Sequence, residues 1–139
     1  MAIDHDKLTE FLNKFVGDLG ATMAAGNVLV GDRLGFYRAL AGQPMLPCEL
    51  AEHTGTATRY VDEWLRGQAA GAYVEYDQRT GSYSLTPEQA FALTDPDGAV
   101  FAPGAFELAL GALRSEQKVI EATRAWQDAG SATSVCTDR

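Results

Sequence analysis

The chain has 139 residues, 46% hydrophobic and 22% charged, which is enough for one domain with a real core and excludes a disordered polypeptide. No run approaches the roughly 18 uninterrupted apolar residues of a membrane helix, and Asp4-His5-Asp6-Lys7 is unlike a signal peptide, so no membrane partner and a cytoplasmic location are expected. The net charge of −8 repels polyanions on average, and the isolated Cys48 and Cys136 read as free thiols with neither a disulfide framework nor a zinc spacing.

Leu8, Phe11, Leu12, Phe15, Val16 and Leu19 recur at steps of three and four, with Lys7, Glu10, Asn13, Lys14 and Asp18 on the other side. This spacing predicts an amphipathic helix. Gly17 and Gly20 weaken its end, and a second helical run is expected from about Ala21 to Ala41, which makes 5–41 helical. Within that run Met23, Asn27, Val30, Leu34, Tyr37 and Ala41 form one stripe, and Leu29, Phe36 and Leu40 an adjacent one. A helix apolar over most of its circumference is buried on more than one side, here by its own domain and by a second chain or a missing domain. A homodimer is therefore expected, with Met23, Asn27, Val30, Asp32, Arg33, Leu34 and Tyr37 as the dimer or substrate-side positions. Gly31 and Gly35 have a spacing that suits close packing, and Asp32 and Arg33 are expected to be paired, with a ligand contact as the alternative.

Gly42, Pro44 and Pro47 end this pattern, and Pro47 is suited to the first position of a helix running through Leu50 and Ala51 to His53. Thr54-Gly55-Thr56 reads as a turn, and a helix from about Ala57 to Ala70 places Val61, Trp64 and Leu65 inward, with Gly71 as its stop. Together 47–71 form a helix-turn-helix candidate. Tyr73-Val74-Glu75-Tyr76 and Ser82-Tyr83-Ser84-Leu85 flank a turn-rich centre, predicting a hairpin wing over 73–85 in which Tyr76 and Tyr83 pack together. Thr86, Pro87 and Gln89 supply the start of a short helix over 87–93, followed by a loop from Thr94 to Pro103. A single helix is expected over 104–127, with Phe106, Ala109, Leu110, Leu113, Ile120 and Trp126 near one face, and a frayed tail over 128–139. The expected fold is mainly α: a winged helix-turn-helix with a small β-hairpin wing and long flanking helices, as one domain over 1–127.

The segment Gly20-Ala-Thr-Met-Ala-Ala-Gly-Asn-Val-Leu-Val-Gly-Asp-Arg-Leu-Gly-Phe-Tyr-Arg-Ala-Leu, followed by Glu49-Leu-Ala-Glu, Thr54-Gly-Thr, Tyr60-Val-Asp-Glu-Trp-Leu-Arg-Gly-Gln-Ala-Ala-Gly and Tyr73-Val-Glu-Tyr, carries a family resemblance. Over roughly residues 10 to 127 the chain resembles the N-terminal region of a bacterial S-adenosylmethionine-dependent methyltransferase family whose members are often labelled transcriptional regulators. The resemblance implies a helical, winged region that mediates dimerisation and covers the substrate side of a separate Rossmann-like domain, which holds the methyl donor. That second domain has no counterpart in these 139 residues, so a truncated product or isolated N-terminal domain is expected. It would be a non-catalytic interaction module with no cofactor of its own, S-adenosylmethionine belonging only to a catalytic domain.

Asp18-Leu19-Gly20 imitates the acidic-glycine start of a methyl-donor loop, but a helical stripe precedes it where a buried strand is required, so a helix-to-helix junction is the better reading. His5 and His53 stand in no ligand cluster or triad pattern, and no catalytic or metal-binding residue is assigned. Trp64 and Trp126 lie on apolar stripes and are expected in the core or an interface. The alternative function is a DNA-binding regulator in which Arg59, Tyr60 and Arg66 enter the groove and Arg79 touches the backbone from the wing. Against it, Arg59, Arg66 and Arg79 are the only cations from Pro47 to Thr86, facing Glu49, Glu52, Asp62, Glu63, Glu75 and Asp77, whereas duplex binders present a basic face.

Overall fold

The computed structural model describes the backbone of residues 3–128 and the side chains of residues 3–125. The side chain of Trp126, Cys136 and the expected tail beyond Asp128 lie outside the described residues. Helix α1 runs His5–Arg33, and Asp4 caps it, its carboxylate accepting the backbone N–H groups of Asp6 and Lys7. The helix passes through Gly17 and Gly20 without interruption, correcting the expected break and the helix junction at Asp18-Leu19-Gly20. An interior glycine costs only about 1 kcal/mol, which a helix of this length absorbs. The break falls instead at Leu34 and Gly35, where Gly35 adopts the left-handed φ of 75° that glycine tolerates. Helix α2, Phe36–Gly42, follows in a new direction.

Helices α3, Pro47–Thr54, and α4, Thr58–Ala70, are joined through Gly55, again left-handed. Glu49 accepts the backbone N–H of Leu46 at 2.7 Å, and Pro47 occupies the first turn. The wing is an antiparallel pair, β1 Glu75–Asp77 and β2 Ser82–Ser84, with Tyr76 opposite Tyr83 and their rings 4.8 Å apart. Its strands are shorter than the β-prone runs because the chain before β1 serves the core: Val74 is buried and Tyr73 donates its N–H to the Gln68 carbonyl. Met45 adds one bridging residue beside Tyr83 through two backbone hydrogen bonds of 2.9 and 2.8 Å. Helix α5, Pro87–Thr94, opens on a capping box in which Thr86 and Gln89 each bond the other's backbone N–H.

The core gathers Val28 from α1, Phe36, Tyr37 and Leu40 from α2, Leu50 from α3, Val61, Trp64 and Leu65 from α4, and Val74, Tyr83 and Leu93 from the wing and α5. At about 1.5–3 kcal/mol for each large apolar side chain, this cluster is what holds the helix-turn-helix to the wing. Helix α6, Ala102–Arg114, begins two residues before Gly104, with Pro103 in its first turn. Helix α7, Glu116–Asp128, is separate, so the single helix expected over 104–127 is two. At the break Ser115 turns its hydroxyl onto the Gly111 carbonyl, a bond that competes with regular helix propagation. The chain forms two compact units, Met1–Phe106 and Glu107–Arg139. In the second, Leu113 and Val119 are exposed while Leu110 and Ile120 are partly covered.

Candidate functional site

Every residue of α1 from His5 to Met23 is exposed. Within this stretch lie Leu8, Phe11, Leu12, Phe15, Val16, Leu19 and Met23, with Phe11 at 64%, Phe15 at 53% and Met23 at 68% of full exposure. Helical spacing places them along one side and carries the stripe on to Val30, also exposed. Glu10, Lys14 and Asp18 recur every four residues on the other side, where Lys14 pairs with Asp18. From Leu8 to Val30 the apolar side therefore carries no charge over about 33 Å of helix. Among the described residues α1 is buried only in its C-terminal part, at Val28, Leu29 and Gly31.

Gly31 explains how α1 and α4 come so close. A Cβ there would lie 2.2 Å from a ring carbon of Trp64 and 2.9 Å from one of Tyr37. Trp64 donates its indole N–H to the Asn27 carbonyl at 2.8 Å, and Tyr37 donates its hydroxyl to the Gln68 carbonyl oxygen at 2.5 Å. The two rings meet edge to face, 5.3 Å apart. Burial pushes the Tyr37 phenol well above its ordinary range, with Tyr73 and Asp32 adding to the effect. Close packing at Gly31 and an inward Trp64 are as expected, whereas Gly35 serves the turn.

The seven positions expected on one dimer or substrate-side surface are divided. Met23, Asn27, Val30, Arg33 and Leu34 are exposed, but Tyr37 is 1% exposed in the core, which corrects its assignment. The stripe assumed one helix from Ala21 to Ala41, and the turn at Gly35 rotates Tyr37 inward. Asp32 pairs with Arg38, which reaches both its carboxylate at 3.3 Å and its backbone carbonyl at 2.9 Å. The first half of α1, from Leu8 to Leu19, which the spacing predicts as an amphipathic helix, carries most of the exposed apolar surface of that helix. Its signal was present, since all its charges lie to one side, but the pattern does not say what covers the other.

On the helix-turn-helix face, Arg59 is exposed and Tyr60 is 77% exposed near the start of α4. Arg66 pairs with Asp62 at 3.0 Å, and Arg79 with Asp77 at 3.7 Å. Two of the three cations proposed for phosphate contact thus each lie beside a carboxylate. The Arg66–Asp62 pair forms part of the wall of a shallow cleft of about 360 Å³ between α4 and the wing, which Pro47, Ala69, Tyr76 and Tyr83 also line. Among the described residues no His, Cys, Asp and Glu cluster has the arrangement of a metal site, and no helix is long and apolar enough to cross a membrane. Cys48 is an exposed free thiol in α3.

Among solved structures, the chain is similar to CalO1, a methyltransferase in calicheamicin biosynthesis in its SAH-bound form, at 27% identity and a TM-score of 0.55, over 76% of this chain and 29% of that one. The mitomycin 7-O-methyltransferase MmcR matches at 23% identity and a TM-score of 0.56, over 66% and 27%. Human N-acetylserotonin methyltransferase in complex with SAM matches at 18% and 0.53, over 69% and 28%. The last two likenesses show the fold alone. The matched portion is the N-terminal part of these enzymes, and the chain spans less than a third of their length. No curated protein matches the sequence. A family model described as the Rv2258c-like winged HTH domain matches residues 22–95, more than half of the chain, and the chain belongs to that family.

Proposed function

We propose that this chain is a non-catalytic winged-helix interaction module that associates with a second copy of itself, and that it resembles in role the N-terminal, substrate-side part of S-adenosylmethionine-dependent methyltransferases. The observation that carries the reading is the charge-free apolar side of α1 from Leu8 to Val30, exposed along its length. A helix without tertiary contacts is marginal in water, and an apolar strip of this size marks an interaction surface. Its likeness to CalO1 supports the relation to methyltransferases, whose methyl-donor chemistry would belong to a separate catalytic domain.

Sedimentation velocity across a concentration series tests the association. A dimer that dissociates on dilution is expected, and a monomer up to high micromolar protein overturns the reading. Calorimetry with S-adenosylmethionine tests the lack of a cofactor in this chain: no saturable heat is expected, and tight binding would show that a methyl-donor site is present.

A further inference from the structure

We propose that the cleft between α4 and the wing binds a small, neutral, flat heterocycle whose edge carries an N–H beside a carbonyl, Asp62 accepting from the N–H and Tyr83 donating to the carbonyl. None of the lining residues belongs to α1.

Asp62, Arg66 and Ala69 recur at steps of four and three, so α4 turns one face to the cleft. Pro47, in the first turn of α3, and Tyr76 and Tyr83, paired across the wing, supply the other walls. The two tyrosine rings lie 4.8 Å apart and tilted by 37°, an aromatic wall on which a further flat ring can pack. A volume of about 360 Å³ is at the lower end for small-molecule sites and suits one ring or two fused rings.

The polar groups define the ligand edge. Tyr83 is 6% exposed, and its hydroxyl bonds to nothing among the described residues. No buried side-chain nitrogen or oxygen among those residues lacks a hydrogen-bond partner, so this hydroxyl reaches accessible space, at the cleft that Tyr83 lines. Burial, with Asp62 and Tyr76 adding to it, holds the phenol above its ordinary range, which keeps the O–H as a donor. Arg66 holds Asp62 through Oδ2 at 3.0 Å and leaves Oδ1 without a partner among the described residues. The charge of Asp62 acts on the Tyr83 phenol, so this acceptor and this donor are neighbours, and together they match an N–H next to a carbonyl.

Charge selects a neutral ligand. Asp62 and Arg66 cancel within the lining, and the segment 47–86 around it has six carboxylates against three guanidinium groups, which disfavours an anion. A cation would meet the Arg66 guanidinium.

Amide chemical shifts of the full chain, titrated with carbostyril, a neutral two-ring lactam, test the site. Saturable shifts centred on Ala69, Tyr76 and Tyr83 are expected. N-methylcarbostyril, in which a methyl group replaces the donor hydrogen, should bind about tenfold more weakly, since Asp62 is left unmatched. Quinaldate, a flat anion of similar size, should also bind more weakly than carbostyril. Tyr83→Phe keeps the buried ring and removes only the hydroxyl, and it should weaken carbostyril by roughly fivefold, the scale of one hydrogen bond. Asp62→Ala, at a partly exposed helical position, should abolish the preference for N–H over N-methyl. The proposal is overturned by the absence of a saturable shift at millimolar carbostyril, by tighter binding of quinaldate, or by variants that keep the full affinity and preference.

Discussion

Gly31 is the position at which one added methyl group does most harm, because its Cβ would meet the Trp64 ring from one direction and the Tyr37 ring from another. Neither ring can retreat: Trp64 is tied to the Asn27 carbonyl, and Tyr37 to Gln68. Gly31→Ala is therefore expected to destabilise the fold by about 1–3 kcal/mol, the usual cost of overpacking, read as a lower urea midpoint at unchanged slope. Tyr37 adds a pH dependence of definite sign. Its folded-state phenol holds its proton well above the ordinary range, chiefly through burial, whereas the unfolded chain releases it near pH 10. The resulting stabilisation is fully present below pH about 10 and is lost as pH rises towards the folded-state value, at up to about 1.4 kcal/mol per pH unit. Tyr37→Phe should flatten that alkaline decline in urea titrations. At neutral pH it should cost about 1–3 kcal/mol, since the buried Gln68 carbonyl oxygen loses its donor.

Helix α1 differs along its length, its last turns held by the core and its residues from His5 to Met23 exposed. Gly17 lies in the unsupported part, off the apolar side, with open space where a Cβ would be. Gly17→Ala should therefore raise helicity by circular dichroism and slow amide exchange over residues 5–23, by roughly 0.5–1 kcal/mol of local stability. Those same glycines show where sequence reading met its limit: they weaken helix propensity, but propensity alone does not end a helix. The helix-turn-helix, the wing and the α5 cap were legible because short-range chemistry specifies them, namely left-handed Gly55, the tyrosine pair and the reciprocal Thr86–Gln89 bonds. The Met45 bridge was not, since a single paired residue leaves no alternation to read. Tyr37 was misplaced because a stripe drawn across Gly35 assumes a helical register that its left-handed turn resets. The apolar side of α1 was legible as a pattern, while its lack of cover was not, because periodicity records which residues share a side and not what lies opposite.

At the scale of the molecule, charge and apolar surface point to different partners. With a net charge of −8 and with Arg66 and Arg79 paired to their own carboxylates, the winged face lacks the basic footprint that duplex DNA requires. α1, by contrast, offers an uncharged strip that water solvates poorly, and association through it should tolerate salt, since no charge on the strip itself is screened. Placing a carboxylate in the middle of that strip should therefore be far more damaging than placing one behind it. Phe15→Glu would bury an unpaired charge at the contact and remove a large apolar anchor, each worth 2 kcal/mol or more by the usual scale of central interface residues. A rise in the dimer dissociation constant of at least about thirtyfold is expected in sedimentation. Lys14→Glu changes a neighbouring residue on the charged side of the same helix and should alter the constant by no more than about threefold, as exposed ion pairs contribute little. Because residues 5–23 are exposed in the single chain, Phe15→Glu should also cost helicity at concentrations where the parent is dimeric, and amide exchange over that segment should become fast and independent of concentration. Equal effects of the two substitutions would mean that helix α1 is not held by its apolar side.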